Sequence, residues 1–303
     1  APLARMAKLD VAMITTVAAA HLEAFASVDD IAREKASIFA GLDPGGVAVF
    51  NADLETSPIL RAVAETVGAR KVGFGASVGA DWQLLDARIL HEATVCRATR
   101  DGQPLLYKIS SPGRHFALNA LGALAVAEAL GADPMIAAHD LGRWVPPVGR
   151  GQRERITLDI VEETFFDLID DAFNANPASM AAALEVLIAA QPTDGIGRVG
   201  GGRRIAILGD MLELGPTEAA LHQAIARHPG LLQRLHAAQA GRGRQADLFG
   251  QRKIGLSRVA LLLAQYPVVS VVKFGHLLQG YRMRLHLCNP LVRRARQDGD
   301  HDA

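Results

Sequence analysis

The sequence predicts an α/β protein built on parallel sheets in two consecutive units. Three observations carry that expectation. Short β-rich apolar runs alternate with longer stretches of helical periodicity; the strand runs are apolar almost throughout, as strands covered on both faces are; and a basic Pro/Gly-rich stretch at 144–155 (WVPPVGRGQRER) interrupts the alternation, which then resumes. The clearest strands are VAMITTV (11–17), GVAVFN (46–51), ARKVGFG (69–75), FFDLID (165–170), RIAILGD (204–210) and VVSVVKFG (268–275), and the clearest helices are 28–40, 115–130 and 177–190. Ser27 with Asp30 three residues on forms the start signal of the first helix, and Asn176 before Pro177 that of the third. Residues 76–110 read differently: the alternation in ARILHEATVCRAT and the Asp101-Gly102 turn ahead of PLLYKI predict an antiparallel hairpin appended to the first sheet. The expected division is 1–168 and 169–303. Residues 230–265 are basic, glycine-broken and only patchily periodic, and the last eleven-odd residues, RRARQDGDHDA, are expected to fray.

A chain of 303 residues, 50% hydrophobic and 21% charged, can bury two substantial cores. Its 32 basic residues balance 32 acidic ones, which removes the electrostatic case for nucleic acid or an anionic membrane as partner and makes any phosphate binding a local matter. Two distant cysteines, Cys96 and Cys288, with no CxxC, fit a reducing compartment, so a cytoplasmic location is expected. No apolar run approaches the length of a membrane span, and the first residues lack the order of a signal peptide. The start at Ala1, almost directly on a strand-like run, leads to the expectation of a piece cut from something longer.

In open parallel sheets ligands bind at the carboxyl ends of strands. Thr15 and Thr16, then His21 and Glu23, follow the first strand; Asn51 and Asp53 follow the second; Asp170 and Asp171 end a strand; Asp210 and Glu213 follow another. His21 and Glu23 have the chemistry of divalent-cation ligands or of an ordinary polar loop. Lys35 shares a helical face with Ile31, Ile38 and Phe39, so its ammonium is aimed at the core. Either it snorkels to solvent, or desolvation lowers its pKa enough for the neutral amine to take up carbon dioxide as a metal-binding carbamate. His115 and Asn119 lie one turn apart on one helix, where Asn119 can meet an adenine edge or a backbone group. Paired aspartates at 170 and 171 suit ribose hydroxyls. The run GRVGGGRR (197–204) precedes a strand instead of following one, which is the wrong side for a dinucleotide fingerprint, and there is no GxxxxGK[ST] in the chain.

Ordered segments across residues 1 to about 228 resemble the Mur ligases of peptidoglycan synthesis, and within that family the branch that adds D-alanyl-D-alanine. The segments are ITTVAAAHLEAFASVDDIAREKASIFAGL, VFNAD, GRHFALNALGALA, PPVGRG, DDAFNANPASM and LGDMLELG. The resemblance implies a parallel-sheet central ATPase domain, partial and without its P-loop, followed by a Rossmann-like C-terminal domain. It implies ATP and Mg²⁺ as cofactors, with His21 a Mg²⁺ ligand and Lys35 a carbamylated lysine holding a second ion. Asn119 falls in the implied adenine site, Arg150 near the ATP phosphates, and Asp170 and Asp171 at the ribose. Asn174 and Asn176 belong to the signature entering the C-terminal domain, while Asp210, Glu213 and Lys273 (in VVKFG, where the family has VKGS) lie toward the substrate. The implied reaction activates the carboxylate of a UDP-N-acetylmuramoyl-tripeptide as an acyl phosphate, which the amine of D-alanyl-D-alanine displaces. A monomer is implied. The family's UDP-muramoyl domain and P-loop are expected ahead of residue 1, so these residues alone are expected not to ligate. Two other readings stay open: a folylpolyglutamate- or cyanophycin-type ligase, and a non-catalytic remnant.

Overall fold

A computed structural model describes residues 2–19, 24–161, 164–194, 202–227 and 269–273. The first unit is a six-stranded sheet in the order β1 to β6. Strands β1 (Leu9–Ile14), β2 (Leu42–Asn51) and β3 (Arg70–Gly75) are parallel neighbours. The links between them are helix α2 (Val28–Ala36), with a 3-10 turn over Ser37–Gly41, and helix α3 (Ser57–Thr66). A short first helix, α1 (Pro2–Ala7), lies against the 3-10 turn at Gly41, where a Cβ would come 2.2 Å from the Ala4 carbonyl oxygen. Strand β2 shows why the sheet is sandwiched: Val47 and Val49 enter one core and Ala48 and Phe50 the other. The second of these cores packs Phe39, Phe50 and Leu60 at full burial beneath α2 and α3.

The expected hairpin is a three-stranded meander of β4 (Trp82–Ile89), β5 (Thr94–Arg100) and β6 (Gln103–Ile109), antiparallel throughout. Asp101 and Gly102, at φ 46° and 80°, close its last turn. Strand β4 runs parallel to β3 for only two pairs, Phe74 with Trp82 and Gly75 with Gln83, and then continues past its end. The meander thus stands beyond the carboxyl ends of the parallel strands. Helix α4 (Arg114–Ala129) crosses the other face of the sheet, and α5 (Pro134–Asp140), capped by Asp133, follows it. Gly122 lets α4 approach closely, since a Cβ there would lie 2.8 Å from the Phe74 ring and 3.0 Å from the Met13 sulfur.

The second unit is a four-stranded sheet in the order β7, β8, β10, β9. Strands β7 (Gln152–Asp159) and β8 (Thr164–Asp170) form an antiparallel pair, and β8, β10 (Val269–Lys273) and β9 (Arg203–Ile207) run parallel. Both β7 and β8 belong wholly to this sheet, so the sheets part within 144–151, and the expected boundary after 168 cuts β8. The reason is register: Gln152 pairs with Asp170, so the chain enters the second sheet as soon as it leaves the Pro/Gly stretch. Helix α6 (Pro177–Ala189) and α7 (Glu218–Ala226) pack Met180, Leu184, Leu187 and Ile225 over the sheet. Asn176 caps α6 reciprocally with Ser179, each side chain accepting the other's backbone N–H. The expectations for 230–265, for the tail and for the 197–201 glycine run lie outside the described residues.

Gly122→Val is expected to lower stability by about 1–3 kcal/mol, through overpacking against Phe74 and Met13, in urea unfolding followed by circular dichroism.

Candidate active site at the strand ends and the inter-sheet linker

The carboxyl ends of the first sheet are held by side chains that satisfy otherwise orphaned backbone groups. Asn51, buried at the end of β2, donates from Nδ2 to the Thr15 carbonyl at 3.1 Å and accepts the Asp53 N–H on Oδ1 at 2.9 Å. The Asp53 carboxylate accepts the N–H groups of Ala76 and Ser77 at 2.6 and 2.8 Å, just past β3. Partial burial pushes this carboxyl up, but the hydrogen bonds from Ser77 and Ala76 and the charge of Arg114 outweigh it, leaving Asp53 below the usual carboxylate range. Gly75 makes room, because a Cβ there would sit 2.4 Å from Asp53 Oδ1.

Of the two readings of Lys35, its exposure matches the one in which the side chain snorkels out from the apolar face. The buried stripe of α2 and its continuation is Ile31, Ala32, Ala36 and Phe39, and Lys35 is exposed at its edge. Its ammonium donates to the Thr16 carbonyl at 2.9 Å, one residue beyond the carbonyl held by Asn51. The charge finds a carbonyl at the strand end because an unpaired ammonium in the core would be far costlier. Partial desolvation lowers its pKa, the direction that favours a neutral, nucleophilic amine. His21 and its companion Glu23 lie outside the described residues. Among the described residues no group of three or more His, Cys, Asp or Glu is arranged to hold a metal.

A second cluster forms where the linker meets both units. Gly149 and Gly151, at φ 75° and 87°, flank Arg150. The Gly149 carbonyl accepts the Phe173 N–H at 2.9 Å, and the Gly151 N–H donates to the Asp170 carbonyl at 2.8 Å. A Cβ on Gly151 would lie 3.1 Å from the Phe116 ring in the first turn of α4. Phe116 in turn stacks tilted on His115 and Trp144, with ring centres 4.0 and 5.4 Å away. The Arg150 guanidinium sits 3.9 Å over the Phe173 ring, a contact worth about 0.5–1 kcal/mol at such an exposed position. Burial pushes the Asp171 carboxyl up to about 6, the Asp170 charge adds to this, and Arg150 opposes it. Burial takes His115 down to about 4, so its ring is neutral at neutral pH. Asn119, one turn beyond His115, is exposed. The linker therefore gathers Arg150, Asp170 and Asp171 beside the α4 turn that leads to Asn119.

The remaining expected residues follow the second sheet's carboxyl ends. Lys273 ends β10, level with Asp170 on one side and Ile207 on the other. Asp210 and Glu213 lie in the loop after β9, which buried Met211 and Leu214 anchor and His222 Nε2 ties down by accepting the Met211 N–H at 3.1 Å. Glu213 adopts φ 61°. Lys35 and this loop share no contact among those described, so the expected residues form two groups, one at the end of β1 and one around the linker and the second sheet. Sequence reading missed Phe116, Phe173 and the Arg153–Asp167 pair. The alternation in QRERITLD, with two arginines on one strand face, was the available signal for the last of these.

The architecture is a two-sheet α/β fold with polar groups collected at strand ends. The profile of the Mur ligase middle domain matches residues 1–127, and that of the Mur ligase glutamate ligase domain matches 158–248. The chain belongs to the Mur ligase family and carries its middle and C-terminal domains. It is 28% identical over 277 residues to the UDP-N-acetylmuramoyl-tripeptide--D-alanyl-D-alanine ligase of Escherichia coli K12, covering 88% of this chain and 57% of that protein. The fold resembles a MurF crystal structure from Acinetobacter baumannii (TM-score 0.66, 20% identity, 90% of this chain and 58% of that one). It also resembles MurF from Thermotoga maritima in complex with ADP (TM-score 0.62, 20% identity, 90% and 60%). The chain spans about half the length of the curated relatives it matches.

Asp171 and His115 pull the pH dependence of stability in opposite directions. A carboxyl raised from 3.8 to about 6 stabilises below pH 3.8 and loses that contribution as pH rises through about 6. A histidine lowered from 6.5 to about 4 stabilises above pH 6.5 and loses that contribution as pH falls through about 4. Relative to the parent, Asp171→Asn is expected to gain stability more steeply, and His115→Phe less steeply, as pH rises from 4 to 6 in urea titrations.

Proposed function

We propose that this chain supplies the central and C-terminal parts of an ATP-dependent ligase that joins D-alanyl-D-alanine to a UDP-N-acetylmuramoyl-tripeptide, a cytoplasmic step of peptidoglycan synthesis. The observation that carries the reading is the gathering of Arg150, Asp170, Asp171 and the first turns of α4 at the linker, in a chain matching both Mur ligase domains. The name of the Escherichia coli relative supports the choice of substrates. The Thermotoga maritima structure with ADP supports an adenine nucleotide. As proposed, the protein acts as a monomer.

The residues fit such a ligand. Asn119 is exposed on α4 and free to present its amide to an adenine edge. Asp171, half-buried beside Asp170, offers carboxylate oxygens to ribose hydroxyls. Arg150, held over Phe173 and close enough to lower Asp171, keeps a delocalised cation where phosphate oxygens would gather. ATP supplies the phosphoryl group that activates the substrate carboxylate. Lys35, fixed to the Thr16 carbonyl and depressed in pKa, would hold one Mg²⁺ after carbamylation and His21 would be a ligand of the other; the two ions would offset charge between anionic oxygens. On the far side, Lys273, Asp210 and Glu213 would orient the substrate's terminal groups. The chain's own work is positioning and electrostatics. The sequence contains no GxxxxGK[ST], and the proposal assigns no β- or γ-phosphate cradle to these 303 residues.

The adenosine part of the site lies within the chain. Titration calorimetry is expected to give saturable adenosine binding that Asn119→Ala and Asp171→Ala each weaken about tenfold, the effect of losing one good hydrogen bond to a ligand. Absence of saturable binding by adenosine and ADP alike would sink the proposal.

A further inference from the structure

The linker is one attachment between the two units, and a second lies away from it. Arg153, two residues past Gly151 on β7, reaches out of the second sheet to the turn between β4 and β5. Its Nη1 donates to the His91 carbonyl, and its Nη2 lies 2.9 Å from the His91 ring Nε2 and 3.0 Å from Asp167 Oδ2. Asp167 is buried on β8, and its other oxygen accepts from Arg155 Nε at 3.0 Å. Partial burial pushes Asp167 up, but its bonds to Arg155 and Arg153 and their charges outweigh this and hold it below the usual range. Arg155 itself stacks at 4.1 Å over Phe165 and makes none of the contacts with His91.

We infer that Arg153 is a positioning residue, an inter-domain latch that fixes the angle between the two units about the linker at 144–148. Residues 149–151 are tied to Phe173 and Asp170 of the second unit, so the chain ahead of them, 144–148, is the covalent connection about which that unit could turn. A single flexible connection leaves the second sheet able to rotate. A second attachment removes that freedom, and Arg153 supplies one whose planar fork serves a carbonyl, an imidazole and a carboxylate at once. With its side chain only 17% exposed, and Asp167's 9%, the pair is shielded enough for the geometry to be held. The meander's projection past the strand ends is what brings His91 within reach. The consequence for ligation, that the latch sets how Lys273 and the 210–213 loop meet the Lys35 end of the first sheet, rests on the proposed function. The latch itself does not.

Pulsed electron–electron resonance between spin labels at Ala62→Cys on α3 and Glu185→Cys on α6, both exposed, reads the angle directly. Cys288→Ser removes one native thiol, and Cys96, fully buried with its pKa pushed up to about 11, does not take the label. The parent is expected to give one narrow distance distribution. Arg153→Ala should broaden it and shift its maximum, with circular dichroism unchanged, whereas Arg155→Ala should leave it as in the parent. Arg153→Lys, which keeps the charge and loses the fork, should shift it too and serves if the alanine variant does not fold. An unchanged distribution in the folded Arg153 variant, or an equal shift in Arg155→Ala, overturns the latch. Because no nucleotide is present, this result stands apart from adenosine binding, whose failure would overturn the function alone.

Discussion

Strands buried on both faces must end somewhere, and at that end their backbone groups need partners. This is the constraint on which the structure of the first unit turns. Strand β2 feeds two cores with alternate residues, and the backbone just past its neighbours β1 and β3 must be held where those cores end. Asn51, Asp53 and Lys35 answer the need at the Thr15 and Thr16 carbonyls and the Ala76 and Ser77 amides. Thr94 does the same beyond the meander, donating to the Ser111 carbonyl and accepting the Gly113 N–H ahead of α4. The polar groups that make the strand ends chemically useful are thus also the ones that let the sheet be buried.

The same economy holds at the linker. Its glycines take backbone conformations that other residues adopt only with strain, and this lets residues 149–151 lie against both Phe116 of the first unit and Asp170 to Phe173 of the second. Arg150 is presented between them. Burial, with the Asp170 charge added, raises the Asp171 carboxyl, and Arg150 limits the rise.

Much of this was legible in the residues. The strand–helix alternation, the Asp101-Gly102 turn and the Asn176-Pro177 start appear in the structure within a few residues of where their patterns put them. Lys35 was singled out for sitting on an apolar face, and it is exposed, as a snorkelling lysine is. Helical periodicity counts Ile38 and Phe39 as the next turn, but the helix ends at Ala36 and tightens to a 3-10 turn, so the face rotates away from the lysine. The boundary after 168 failed for a related reason: FFDLID reads as a strand, but its antiparallel partner just upstream alternates charges and looks like a loop.

By itself the sequence determined the α/β class, the two units, the order of elements and the family, because these depend on periodicity, caps and short motifs carried by neighbouring residues. Only the tertiary structure decided that Lys35 holds Thr16, that Arg150 shares its surroundings with Asp171 and Phe173, and that Arg153 spans from one sheet to His91 of the other. Each of these joins residues set far apart or on separate elements. Their pairing depends on how strands are ordered and how far one sheet projects past another, which no local pattern records.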